Sequence, residues 1–87
     1  MDEHMFQDHV ELAMAREVCF LWYSLSISQN HPPLHAKNVA LKRAQLILKT
    51  RGGGLTLNQK NDALKALSEY LDGMHNGSVI NPLYAEE

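Results

Sequence analysis

The stretch LILKTRGGGLTLNQK, residues 46–60, sets three consecutive glycines and a cluster of positive charge between two apolar segments. Three architectures place glycines there: a phosphate-binding loop, the turn of a DNA-reading motif, or the corner of a helical hairpin. The phosphate loop needs G-x-x-x-x-G-K-S/T spacing after a strand, and neither the spacing nor a strand precedes Gly52-Gly53-Gly54. The hairpin corner needs only residues that stop one helix and let the next begin, and the glycine triplet predicts such a corner.

On the amino-terminal side, Val39, Ala40, Leu41, Ala44, Leu46, Ile47 and Leu48 fill a broad apolar arc, while Asn38, Lys42, Gln45 and Lys49 fall opposite. That pattern predicts an amphipathic helix over about residues 33–51, opened by Pro32-Pro33 and closed by a left-handed glycine. On the other side, Thr56 and Gln59 have the spacing of a capping box. Leu57, Leu64, Leu67, Leu71 and Met74 then recur at helical steps, which predicts a third helix over about 57–73, stopped at Asp72-Gly73, with a tail over 74–87.

Upstream, residues 3–28 contain no glycine or proline and predict one long helix. Within it Val18-Cys19-Phe20-Leu21-Trp22-Tyr23 is apolar on every side. Two further helices in so short a chain can hardly cover such a segment all round. Val18, Phe20, Leu21, Trp22 and Leu25 are therefore the expected interface residues for a homo-oligomer or another partner. A rival reading takes the alternation of Tyr23-Ser24-Leu25-Ser26-Ile27-Ser28 as a half-buried strand, although no second strand offers itself as its partner.

Eighty-seven residues with 45% hydrophobic and 21% charged side chains fit one globular domain. A chain of this size buries only about 60–65% of its unfolded surface, so its stability margin is thin. The single Cys19 rules out an internal disulfide and suits a reducing, cytoplasmic setting. The acidic opening Met1-Asp2-Glu3-His4 lacks the positive charge of a signal peptide, and the longest apolar run is far short of about 20 residues, so neither export nor membrane association is expected.

The net charge of −2 is partitioned along the chain: residues 1–30 carry −4, residues 31–65 carry +6 and residues 66–87 carry −4. Lys37, Lys42, Arg43, Lys49, Arg51 and Lys60 make the middle basic and are the expected contacts for an anionic partner. A helix-turn-helix would place Asn58, Gln59, Lys60 and Asn61 at base edges, but its supporting helix is too long and both ends of the chain are acidic. Among the five histidines, His31 and His35 are separated by Pro32-Pro33, and His4 and His9 do not share a helical face. No cofactor, metal site or catalytic constellation is expected.

Together these features predict an all-α fold: a long first helix packed on a helical hairpin, doubled as a homodimer. The expected function is non-catalytic occupancy of an acidic protein partner's surface, as an adaptor, inhibitor or regulatory subunit. Binding of nucleic acid or an anionic nucleotide through the basic 37–60 segment is the alternative.

Overall fold

The computed structural model describes residues 9–76, which form three helices: α1, Val10–Ser28; α2, Pro33–Arg51; and α3, Leu57–Asn76. The fold is all-α. Tyr23–Ser28 lies inside α1, which removes the strand reading: helical bonds satisfy the backbone without a ladder, and Ser24 and Ser26 are buried while Leu25 and Ile27 are exposed, the reverse of what the alternation would place inside a sheet. The residues before 9 and the tail over 77–87 lie outside the described residues.

Two boundaries differ from the sequence expectation. Helix α1 begins at Val10, because His9 has an extended backbone (φ −135°, ψ 133°), so no helix runs unbroken from residue 3. Helix α3 continues through Gly73 to Asn76. Glycine costs only about 1 kcal/mol inside a helix, which the neighbouring buried Tyr70 and Leu71 readily offset.

The α1–α2 corner is built by a left-handed residue. Asn30 has φ 67°, its N–H donates to Ile27 O at 3.0 Å, and the His31 N–H donates to Ser26 O at 3.0 Å. This is the Schellman arrangement, which uses two of the orphan carbonyls of α1. Asn tolerates the conformation because its short polar side chain reduces the left-handed penalty. Pro32 then caps α2 with Pro33 as its first residue, where the missing N–H costs nothing.

At the second corner Gly52 is not left-handed; it has φ −95° and ψ 32°. Its N–H donates to Leu48 O at 3.0 Å and its carbonyl accepts from Leu55 N–H at 3.0 Å. Glycine is required there for room: a Cβ on Gly52 would run into the Leu48 carbonyl, whereas one on Gly53 or Gly54 would meet nothing. Helix α3 opens with the capping box. Gln59 N–H donates to Thr56 Oγ1 at 3.1 Å, and Thr56 N–H donates to Gln59 Oε1 at 2.8 Å.

Helices α1 and α2 make the most extensive contact of any helix pair; α3 touches α2 less and α1 least. The cause lies in side-chain size. Ala36, Ala40 and Ala44 form a fully buried alanine stripe on α2, and Ala15 and Cys19 bring similarly small groups to the core face of α1. Small groups on both faces let the backbones approach closely. The intimate unit is thus the α1–α2 hairpin, with α3 laid against it through Ala63, Ala66, Leu67, Tyr70 and Leu71. Phe20, 1% exposed, meets Tyr70 edge-to-face at 5.6 Å and ties α1 to α3.

Candidate functional site

The five residues expected at an interface divide between inside and outside. Phe20 is in the core, so it takes no part in an external surface. Trp22 is half-buried against the core, and its ring is covered by the Arg43 guanidinium 4.2 Å from the centroid. Val18 is half-buried. Leu21 and Leu25 are 48% and 40% exposed. The encircling apolar segment is therefore covered on one side by α2 and α3 and left open on the other. Helical periodicity alone could have separated the two sets: Leu12, Ala15, Cys19 and Tyr23 share one face, while Met14, Val18, Leu21 and Leu25 share the opposite one.

The six expected cation sites also divide. Lys37 is ion-paired with Asp72 at 2.9 Å, joining the first turns of α2 to the end of α3. Arg43 is committed to the Trp22 ring. Lys42, Lys49 and Arg51 are exposed on α2, and Lys60 is half-buried in the first turn of α3. Two apolar residues that the sequence does not place at a surface site lie among them: Leu46, 49% exposed, and Leu57, 72% exposed. The apolar pattern groups Leu46 with the core arc of α2 and Leu57 with the core stripe of α3, but each stands at its stripe's margin and turns to solvent.

A depression of about 190 Å³ lies between α2 and α3, lined by Gln45, Leu48, Lys49, Leu57, Lys60, Asn61 and Leu64. Two more, about 380 and 360 Å³, run along α2 itself; Lys42 and Leu46 line both. Among the described residues no carboxylate lines any of the three. Lysines and leucines thus alternate over one continuous side of the molecule, from Lys42 through Leu46 and Lys49 to Leu57 and Lys60.

No family model, curated protein or solved structure matches this chain.

At the opposite end, Tyr23, Pro33, Leu34, Lys37, Leu71, Asp72 and His75 surround a depression of about 170 Å³. Burial, and secondarily the charge of Asp72, raise the Tyr23 hydroxyl above its ordinary pKa. At physiological pH that phenol is protonated, and the volume is below the roughly 300 Å³ of a typical small-molecule site. The His31 and His35 rings do meet, with centroids 4.8 Å apart, because the tight corner brings His31 back over the first turn of α2. Among the described residues no three His, Cys, Asp or Glu side chains gather as metal ligands, and no helix is long and apolar enough to cross a membrane.

Proposed function

We propose that this protein is a non-catalytic protein–protein interaction module that binds an acidic, amphipathic segment of its partner across the α2–α3 side and doubles on itself through the outer face of α1. Its mechanism is occupancy: it covers a partner's surface in the manner of a cytoplasmic adaptor, inhibitor or regulatory subunit. One observation carries the reading. Exposed Leu46 and Leu57 are interleaved with Lys42, Lys49 and Lys60 around depressions that no carboxylate lines among the described residues. Lysines alone would suit any polyanion. Leucines between them favour a ligand that presents apolar side chains beside its carboxylates.

The test uses two fluorescent probes: an acidic amphipathic peptide with leucines at i, i+4 and i+7 flanked by glutamates, and a single-stranded oligonucleotide. Peptide affinity is expected to fall with either Lys49→Ala or Leu46→Ser and to keep a modest salt dependence. Binding of the oligonucleotide with a steep loss between about 50 and 200 mM salt, unaffected by Leu46→Ser, would instead establish the nucleic-acid alternative. Loss of neither probe's binding in any variant would remove this surface from the function.

A further inference from the structure

The outer face of α1 has more order than an apolar patch requires. Met14, Val18, Leu21 and Leu25 follow one another at steps of four, three and four, the spacing of a coiled-coil seam. Leu21 and Leu25 are exposed, Met14 and Val18 half-buried, and all four lie opposite the face that α2 and α3 cover. One turn before Met14 the same line reaches Glu11, where the seam stops.

The flanks of this seam differ in charge. On one side stands the exposed Glu17. On the other stands Trp22, with the Arg43 guanidinium of α2 stacked over it. In heptad terms, with Val18 and Leu25 at a and Met14 and Leu21 at d, Glu17 takes position g and Trp22 the following e. Parallel helices bring g of one chain to the following e of the other. Antiparallel helices bring g to g and e to e. Only the parallel arrangement sets Glu17 beside the partner copy's Arg43, and the two-fold axis repeats the pair on both sides.

We propose that the occupant of this face is a second copy of the chain, joined in a parallel two-fold dimer along Met14, Val18, Leu21 and Leu25 and bordered by two Glu17–Arg43 pairs between subunits. The inference rests on the self-association in the proposed function and adds its surface, direction and register. The seam spans about 17 Å of helix, short for a coiled coil, so the dimer is reversible and its population follows concentration.

Sedimentation of the full chain over a concentration series, up to about 1 mM, measures the association. A dimer is expected, weakened at least about 30-fold by Leu21→Glu and unaffected by Leu57→Glu on α3. In a Cys19→Ala background, Leu25→Cys is expected to form a symmetric inter-subunit disulfide under mild oxidation, because residue 25 meets its twin only when the helices run parallel. Glu17→Arg and Arg43→Glu each weaken the dimer about tenfold, and the double variant regains the lost affinity. Circular dichroism verifies that each variant stays helical, and the charge-swap rescue cannot arise from misfolding. A monomer at every concentration would overturn both this inference and the self-association beneath it. A dimer insensitive to Leu21→Glu would overturn the surface. A dimer that Leu21→Glu disrupts, but with neither the Leu25→Cys link nor charge-swap rescue, would overturn the parallel register alone.

Discussion

The guanidinium of Arg43 lies 4.2 Å from the centre of the Trp22 ring, so this cation of α2 is engaged by a contact within the molecule. The contact joins the exposed edge of α2 to the most apolar part of α1 and shields one face of the indole. Arg43→Ala should cost about 0.5–1 kcal/mol of stability and shift Trp22 emission to the red as water reaches the ring. Arg43→Lys keeps the charge but loses the planar stack, and should fall between. Fluorescence and denaturant unfolding at concentrations low enough to keep the chain monomeric check both. An unchanged spectrum in Arg43→Ala would mean the stack does not persist in solution.

The three glycines of the second corner should respond unequally. A methyl on Gly52 strikes the Leu48 carbonyl oxygen, which is fixed within α2, whereas Gly53 and Gly54 face open space. Gly52→Ala should therefore destabilise by more than about 1 kcal/mol, while Gly53→Ala and Gly54→Ala stay within about 0.5 kcal/mol of the parent or slightly stabilise it by restricting the unfolded chain. Urea midpoints of the three variants decide it. Equal costs at all three positions would show that the corner depends on flexibility and not on close approach.

The alanine stripe of α2 sets the separation of the tightest helix pair. Ala40 lies mid-helix with no exposed surface, and its neighbours along the stripe, Ala36 and Ala44, are equally enclosed. Ala40→Leu adds three carbons where there is no room and should cost about 1–3 kcal/mol or more as α1 is pushed away. The same change at Gln45, which is exposed on the outer side of α2, should be nearly neutral. Thermal unfolding of the pair separates packing from helix propensity, since leucine is a good helix former at both sites.

The helices were legible in the sequence because their signals are local. The Thr56–Gln59 box and Pro33 at the start of α2 act within a few residues, and the same is true of the glycines that close α2. What escaped depended on distance or on competition between rules. Gly73 reads as a stop, but burial of Tyr70 and Leu71 around it outweighs its weak propensity. Asn30, not Gly52, takes the left-handed cap: the two closing bonds to Ile27 O and Ser26 O turn the chain at Asn30, whereas Gly52 closes α2 with φ −95°. Among the candidate sites, apolar character groups Phe20 with Leu21, yet the two differ by about 100° around the helix, and Phe20 enters the core while Leu21 faces solvent. Arg43 and Lys37 could not be told from Lys42 and Lys49 by sequence, because Trp22 and Asp72 reach them only through the packed fold.

The buried thiol gives a pH dependence whose sign is fixed. Burial pushes the Cys19 pKa up to about 12 from an ordinary 9.0, since the thiolate would lose its hydration inside the core. Below about pH 9 the thiol is protonated in both folded and unfolded chains, and it adds no pH dependence. Above that, the unfolded chain releases a proton that the folded one retains, so stability falls by up to about 1.4 kcal/mol per pH unit until the folded thiol also ionises near pH 12. Tyr23, raised chiefly by burial and then by Asp72, acts in the same direction in the alkaline range. Other groups titrate there too, so the observable is the gap between the parent and Cys19→Ala. That variant loses about 1 kcal/mol at neutral pH through the missing sulfur. It also lacks the alkaline slope of the thiol, so its urea-unfolding curve should approach and then overtake the parent's between about pH 9 and 11. Alkylation supplies a second measurement: iodoacetamide should react with the folded parent only at the rate of unfolding. A gap that stays constant across the alkaline range, or rapid labelling of the native chain, would place Cys19 in contact with water and remove the thiol from the core.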